Sequence, residues 1–141
     1  MSLIYHTTKM LLFSNKNLEI INNYMLKNEE ITCIEKLKNI NLLAYGINLG
    51  KIYIYNYLKV ENIRTISFDN QIFKIFWIKE LNNNLIVNNG PKSKICFTDY
   101  ITGNAYGELN LVKSLNYRRG IYLEESNKLL LGCAKSFVLI D

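Results

Sequence analysis

The strongest constraint on the fold is an internal repeat of about 43 residues. Three segments of alternating apolar, aromatic and β-branched residues end alike, and the first two begin 43 residues apart. They are Lys51–Tyr57, Lys94–Tyr100 and Ser136–Asp141. Alternation of this kind is typical of β-strands with a buried face. A repeat of this length indicates a modular fold in which each unit packs against its neighbours.

Each of these segments follows two other apolar runs. The run directly before it comprises Leu42–Gly46, Leu85–Gly90 and Leu129–Cys133 in the three units. The earlier run comprises Ile31–Leu37, Ile72–Ile78 and Gly120–Leu123, and polar turns such as Glu80–Asn84 separate the two runs. Short polar connections between such runs predict hairpins. With Arg64–Phe68 and Gly107–Leu111 as weaker candidates for a fourth strand, the sequence predicts an all-β fold with four antiparallel strands in each unit.

The N-terminal residues fit the same pattern in a shortened form. Leu3–Tyr5, Met10–Phe13 and Leu18–Ile21 are predicted as the last three strands of an earlier unit. Because the interval to the next unit is shorter by roughly nine residues, we expect a strand to be missing or reduced around Tyr24–Lys27. Residues 20–38 also fit an amphipathic helix, but the repeat phase favours strands. The prediction is a single domain over residues 1–141, with units at about 1–24, 25–57, 58–100 and 101–141, or about 3.75 repeats.

Three stretches of the chain match the pattern of a known repeat family. Ser67–Trp77 is similar to the residues that enter a WD40 blade, and Leu85–Gly90 is similar to the third strand. Lys94–Gly103 is similar to the terminal strand with the Thr-Gly turn that follows it. The resemblance implies a β-propeller whose blades have four antiparallel strands. A β-sandwich or an open meander with the same repeat length remains the alternative.

The sequence departs from the WD40 pattern at its marker residues. The Trp-Asp dipeptide of the family corresponds to Thr98–Asp99 in one unit and to Tyr55–Asn56 in another. Its Gly-His pair is absent, with Ser67–Phe68 at the nearest position. The resemblance therefore implies that no buried His–Asp network is available, and that packing has to hold the blades together.

The number of units predicts an incomplete propeller. Propellers close into rings of about 4 to 8 blades, and about seven are common among WD40 proteins. Repeats bury their faces against neighbours, so an open arc has an uncovered face at each end. Three solutions stay open: a four-bladed ring, an eight-bladed ring formed with a second copy, or docking of the open ends onto another protein. The chain could also be a fragment of a longer propeller. Unless four blades close, we expect that the chain is not a stable isolated monomer.

Composition and cysteine usage limit the class of protein. Hydrophobic residues make up 49% and charged residues 21% of the chain, which is typical of a globular domain. No apolar run approaches the roughly 20 residues of a membrane helix, and no signal peptide is visible. Cys33, Cys96 and Cys133 lie far apart and His6 is the single histidine, so neither a zinc site nor a disulfide framework is expected. We expect an intracellular protein, cytoplasmic or nuclear, without a cofactor or a membrane contact.

The sequence offers no recognisable catalytic group. Catalysis requires a nucleophile with a base, a carboxylate pair or a metal cluster. His6 stands alone, and the acidic pairs Glu29–Glu30 and Glu124–Glu125 fall at predicted turns, where solvated charge is usual. The segment Gly46–Gly50 lacks the spacing and the Lys-Ser/Thr of a phosphate-binding loop. The prediction is a non-enzymatic protein with no small-molecule substrate.

Two functions of different classes remain. The WD40 resemblance implies a scaffold for protein–protein interaction, with binding residues at the mouth of the ring just before each inner strand. By position these residues are Asn28, Glu30, Asn70, Gln71, Asn116 and Tyr117, although ordinary turns have the same composition. The alternative is a nucleic-acid or ribonucleoprotein-binding module. It depends on the net charge of +5 and on a basic cluster of Lys113, Arg118 and Arg119 beside Tyr117.

Overall fold

Antiparallel β-structure arranged in four sheets makes up most of the described chain. The computed structural model describes residues 2–6, 9–13, 20–25, 29–39, 41–68, 74–89, 94–110, 119–132 and 136–140. Within these ranges the only helical element is the short 3₁₀ turn Glu124–Ser126. Each sheet is ordered along the chain, because every strand pairs with the strand that follows it in the same sheet. The all-β class and the antiparallel units predicted from the sequence are confirmed.

Along the chain, a three-stranded sheet comes first, two four-stranded sheets follow, and a second three-stranded sheet comes last. The N-terminal sheet contains β1 (Ser2–His6), β2 (Lys9–Phe13) and β3 (Ile20–Met25). The second sheet contains β4 (Ile31–Lys36), β5 (Leu42–Ile47), β6 (Lys51–Asn56) and β7 (Glu61–Ser67). The third sheet contains β8 (Ile75–Leu81), β9 (Asn84–Asn89), β10 (Lys94–Asp99) and β11 (Ala105–Asn110). The last sheet contains β12 (Arg119–Leu123), β13 (Lys128–Gly132) and β14 (Phe137–Ile140).

The N-terminal sheet corrects the predicted phase of the first unit. β2 begins 42 residues before β6, and β6 begins 43 residues before β10. Lys9–Phe13, and not Leu18–Ile21, is therefore the counterpart of the third strand in the later sheets. β3 continues through Tyr24, so the expected loss of a strand there is wrong; residues 26–28 lie outside the described ranges. The prediction failed because a third strand and an outer strand both appear in the sequence as the same kind of short alternating run. The unit boundaries drawn from the sequence remain a prediction.

A turn that follows the third strand recurs in the two middle sheets. The Asp99 Oδ1 atom accepts hydrogen bonds from the backbone N–H groups of Ile101 (2.7 Å) and Thr102 (3.2 Å). The Asn56 Oδ1 atom, 43 residues earlier, accepts the same pair of bonds from Leu58 (3.1 Å) and Lys59 (2.9 Å). Asp and Asn side chains favour such turns because they can replace a backbone acceptor. The two sites matched to the WD40 dipeptide are thus structurally equivalent.

The sheets pack face to face around their first strands. β4 lies beside β8, and β8 lies beside β12. The core between the second and third sheets includes the fully buried Ile52, Ile54, Ile75 and Leu85. The core between the third and last sheets contains Trp77, Ile86, Ile95, Leu129 and Leu131. No comparable contact joins the N-terminal sheet to the last sheet among the described residues, so the arrangement is open and not a closed ring.

Candidate interaction surface

Strand register divides the side chains of the last sheet between two faces. Ile121 pairs with Leu130, which pairs with Leu139 on the next strand. Tyr122, Leu129 and Ile140 form the adjacent row in the same way. Because successive residues of a strand point to opposite faces, these two rows lie on opposite sides of the sheet. Both rows are mainly apolar, so the sheet has no polar side to turn towards solvent.

Among the described residues, only one of these two faces is covered. Leu129 and Leu131 are buried in the core against the third sheet. On the other side, Ile121 is 60% exposed, Leu139 is 48% exposed and Phe137 is 73% exposed. We call this side the open face; its apolar residues are Ile121, Leu123, Leu130, Phe137 and Leu139. Exposed apolar residues that are contiguous in this way mark interaction surfaces more often than scattered ones do.

The repeat shows that the corresponding face of the third sheet is buried. Trp77 and Ile95 lie 44 residues before Ile121 and Leu139 and are joined through one register row of the third sheet. They are only 7% and 0% exposed, because the last sheet covers them. In the third sheet, the face that corresponds to the open face is therefore buried by the sheet that follows it.

A partly buried polar network connects the second and third sheets. The Glu80 carboxylate accepts hydrogen bonds from the Tyr100 hydroxyl (3.0 Å) and from the backbone N–H of Lys38. Glu35 Oε1 accepts hydrogen bonds from Lys79 Nζ (2.9 Å) and from the Glu80 backbone N–H (3.3 Å). Burial, together with the bond to Glu80, raises the pKa of Tyr100 to about 12. The network holds the second and third sheets together, and both of its carboxylates accept hydrogen bonds from other groups of the protein.

The sequence pattern does not predict this network. It places Glu80 in a polar turn, but Glu80 is buried in β8, and the turn consists of Asn82 and Asn83. The expectation that packing alone holds the units together is therefore incomplete. A single Glu at the end of an apolar run gives no sign that its partners, Tyr100 and Lys38, come from distant strands and loops.

Most of the predicted binding residues at the ring mouth lie outside the described ranges. These are Asn28, Asn70, Gln71, Asn116 and Tyr117. Glu30 is described and exposed; its backbone N–H donates to Asn48 Oδ1 (3.3 Å), and its carbonyl accepts from the Asn48 N–H (3.1 Å). These bonds fix the chain just before β4 and leave the Glu30 side chain at the surface. The assignment of these residues to partner binding stays a prediction.

Of the predicted basic cluster, only Arg119 is described. Lys113 and Arg118 lie outside the described ranges. Arg119 is exposed and stands in register with Gly132 and Phe137, at the margin of the open face. The nucleic-acid alternative also stays a prediction.

The described residues contain no group of three His, Cys, Asp or Glu side chains that could hold a metal ion. Cys33 and Cys96 are buried, as expected of small apolar residues, and Cys133 lies outside the described ranges. Burial raises the pKa of the Cys33 thiol to about 12, which keeps it protonated and unreactive at neutral pH. In the part of the chain that the structure describes, no helix is long and apolar enough to cross a membrane.

Comparison with known proteins identifies the fold. No model of a known protein family matches the sequence, and no curated protein matches it. Many solved chains match the structure. One, from a structure described as the crystal structure of a mitotic checkpoint complex, superposes with a TM-score of 0.84 at 11% sequence identity. The match covers 99% of this chain and 42% of the solved chain, so this chain spans less than half the length of that one. At this identity the likeness shows the fold alone: the chain has an all-β, WD40-like fold of antiparallel blades in an open arrangement.

Proposed function

We propose that this chain is a non-catalytic scaffold subunit that holds protein partners within a larger assembly, and that the open face is its contact surface. The observation that carries the proposal is the exposure of Ile121, Phe137 and Leu139 on a face whose counterpart one repeat earlier is buried. The core of a protein interface is apolar and depleted of charge. On the open face the charged residues Arg119 and Lys128 stand at the margins and the apolar residues lie between them.

The amount of apolar surface sets the strength of the contact. Full burial of a Leu, Ile or Phe side chain contributes about 1.5–3 kcal/mol. Because each side chain of the open face is already partly covered, the five together contribute about 4–7 kcal/mol on binding. Association costs about 4–15 kcal/mol in lost translational and rotational freedom. The open face alone therefore supports a weak contact, and a stable complex needs additional area or a second contact formed at the same time.

Two further observations favour an assembly subunit over an enzyme. A chain of the same fold is part of a structure described as a mitotic checkpoint complex, which supports protein partners in general. The buried carboxylate of Glu80 is engaged by Tyr100 and by the Lys38 backbone, which gives it a structural role. We place the assembly inside the cell, cytoplasmic or nuclear, because the buried cysteines Cys33 and Cys96 are thiols.

The test compares two leucines of equal exposure. Leu139 on the open face is 48% exposed, and Leu58 in the turn after β6 is 49% exposed. Tagged wild-type chain, Leu139→Asp and Leu58→Asp are expressed in the native cell, and the captured proteins are quantified by mass spectrometry after nuclease treatment. We expect Leu139→Asp to lose specific partners by about tenfold or more, which corresponds to about 1.4 kcal/mol, while Leu58→Asp retains them.

Two outcomes would contradict the proposal. Equal capture by all three proteins would show that the open face is not the contact surface. Loss of all captured proteins on nuclease treatment, with a steep dependence on salt, would favour the nucleic-acid alternative.

A further inference from the structure

We infer that the outer edge of β11 binds an extended segment of a protein partner, which adds to the third sheet as a further strand. The inference rests on the proposed function, because it takes the partner to be a protein. It goes further by assigning a second surface, separate from the open face, and by naming the form in which the partner binds there. The weak contact expected of the open face alone calls for such a second contact.

β11 forms one edge of the third sheet. The sheet order places β11 beside β10 and, among the described residues, beside no other strand. An edge strand presents backbone N–H and C=O groups that can pair with another chain. All residues of β11 except Leu109 are exposed. The edge is therefore accessible along its length.

The turn between β10 and β11 shows which residues of β10 face β11. The Asp99 N–H donates to the Asn104 carbonyl at 3.0 Å, and the Asp99 carbonyl accepts from the Gly103 N–H at 2.7 Å. Along a strand of an antiparallel pair, hydrogen-bonded and non-hydrogen-bonded positions alternate. Ile95 and Phe97, which alternate with Asp99, therefore also direct their backbone groups towards β11.

The register then gives the outward groups of β11. The partners of the two β10 residues that face β11 are Leu109 and Gly107. Since these are hydrogen-bonded pairs, the backbone groups of Leu109 and Gly107 point to β10. Glu108 and Asn110 lie at the alternate positions and direct their N–H and C=O groups to the outer edge. An added strand pairs with groups of this kind, two residues apart.

Gly107 leaves the middle of this edge bare, although the fold does not require glycine there. Its φ is not positive, and a Cβ atom added to it would lie 3.7 Å from Phe97 Cδ2, an ordinary contact. Glycine weakens a strand, and inside one it often marks a place where another backbone approaches closely. The residue 43 positions earlier is Arg64, whose side chain reaches the Thr102 carbonyl. With glycine in place of this arginine, β11 leaves room for the side chains of an added strand.

The two faces of the edge specify the chemistry of the segment. Gly107 and Leu109 lie on the same face, because they are two residues apart, and Phe97 stands beside Gly107 in register. Apolar side chains of the segment can pack there on Phe97 and Leu109. On the other face, the exposed Glu108 forms an ion pair with Lys94, which favours polar side chains. We therefore expect a segment with alternating apolar and polar residues, as in other strands that add to a sheet edge.

Amide hydrogen exchange tests the edge directly. In the free chain, the amides of Gly107 and Leu109 should exchange more slowly than those of Glu108 and Asn110, because they bond to β10. The probe is a short synthetic peptide, selected by binding from a pool with apolar residues at alternate positions and polar residues between them. It should slow exchange at Glu108 and Asn110 about tenfold or more. Exchange at Thr65, the equivalent position of β7 43 residues earlier, should stay unchanged.

Proline at the two equivalent positions provides matched variants. Glu108→Pro removes an outward N–H and no bond to β10, so the chain should fold, because edge strands tolerate such prolines. It should weaken peptide binding about tenfold or more, whereas Thr65→Pro should bind as the wild type does. Glu108→Ala keeps the N–H and should also bind, which separates loss of the backbone donor from loss of the side chain.

A variant at Gly107 adds a side chain without removing a hydrogen bond. Gly107→Val should weaken peptide binding about tenfold or more, because its side chain fills the room that the segment needs. Its Cβ atom makes an ordinary contact with Phe97, so the chain should still fold. Binding of the peptide by Gly107→Val at wild-type strength would contradict the room assigned to the segment.

The remaining outcomes decide the inference. A pool that yields no binding peptide, or a peptide that leaves the Glu108 amide unprotected, would overturn it. Equal binding by Glu108→Pro and the wild type would do the same. Protection of Glu108 that appears without peptide, as the protein concentration rises, would place a second copy on the edge and also overturn it.

Failure of the inference can be separated from failure of the proposed function. The capture experiment in the native cell is repeated with Glu108→Pro beside Leu139→Asp. Loss of partners by Leu139→Asp alone would leave the open face as the contact and remove the edge. Loss by Glu108→Pro alone would keep the edge and contradict the role of the open face. Full retention by both variants would contradict both proposals.

Discussion

At the scale of single residues, the positions with positive φ show where the residue type suits the backbone conformation and where it does not. Four asparagines adopt positive φ in the turns between the first and second strands of their sheets: Asn41, Asn82, Asn83 and Asn127. Asparagine tolerates this left-handed conformation better than most residues. The high asparagine content of the chain therefore has a structural use at these turns. Val60, with φ of 59°, adopts the same conformation as a β-branched residue, which is unfavourable.

Relief of this strain should stabilise the protein. Gly103, 43 residues after Val60, occupies the equivalent turn position with φ of 83°. The Val60→Gly substitution removes a left-handed cost of about 1–2 kcal/mol, partly offset by the backbone entropy of glycine, so we expect a net gain of about 1 kcal/mol. Urea unfolding measures it, with Val60→Ala as the control for loss of the side chain. A variant Val60→Gly that is less stable than Val60→Ala would contradict this interpretation.

A second prediction concerns the close approach between the third and last sheets. A Cβ atom at Gly120 would lie 2.6 Å from Cζ2 of Trp77, whereas one at Gly132 would meet nothing within 4 Å. We expect Gly120→Ala to lower the free energy of unfolding by about 1–3 kcal/mol, and Gly132→Ala to leave it nearly unchanged. The loss at Gly120 should be smaller in a Trp77→Phe background, because the indole atoms that clash are then absent. Equal effects of the two glycine substitutions would show that Trp77 does not pack against β12 in this way.

At the scale of elements, the turn after the third strand links the repeats. In the third sheet this turn is also held from the neighbouring sheet, because Arg64 Nη1 donates to the Thr102 carbonyl at 2.8 Å. Hydrogen bonds from the backbone N–H groups of Thr102 and Ile101 hold the pKa of the Asp99 carboxyl below its ordinary value of 3.8. Asn56 performs the same task in the second sheet without a charge.

This difference predicts a specific acid sensitivity. A carboxyl whose pKa is lowered by folding stabilises the protein fully above its ordinary pKa, and the stabilisation is lost as the pH falls through the lowered value. The difference in unfolding free energy between wild type and Asp99→Asn should therefore shrink as the pH is lowered from neutral into the acid range. Urea unfolding of both proteins at a series of pH values measures it. A difference that does not depend on pH would contradict the role given to the charge of Asp99.

The elements that could be predicted from the sequence are those whose signal is local. The alternating runs at Lys51–Tyr57 and Lys94–Tyr100 predicted β6 and β10 because alternation that recurs after 43 residues is typical of repeated strands. The phase of the first unit could not be predicted, since Lys9–Phe13 and Ile20–Met25 are both short apolar runs. The burial of Glu80 could not be predicted either, because it depends on Tyr100, which is 20 residues away.

At the scale of the whole molecule, the incomplete stack was predicted from the sequence, but the surface it exposes was not. The run Lys128-Leu-Leu-Leu-Gly132 is apolar at consecutive positions, so it does not show which side is buried. In the structure, Leu129 and Leu131 face the third sheet, and Leu130 belongs to the open face with Ile121 and Leu139. The site residues predicted at the ring mouth and in the basic cluster, apart from Glu30 and Arg119, fall outside the described ranges. The open face follows from the packing of whole sheets, which no local pattern contains.

The most direct test of the central claim, that the open face is a contact surface for protein partners, is methyl NMR with a soluble paramagnetic probe. Ile121 and Leu139 on the open face are 60% and 48% exposed, and Ile63 and Leu58 elsewhere are both 49% exposed. In dilute protein, the probe should attenuate all four methyl signals. When protein partners captured from the native cell are added, we predict that Ile121 and Leu139 become protected while Ile63 and Leu58 remain attenuated. Equal attenuation of all four after the partners are added would contradict the account.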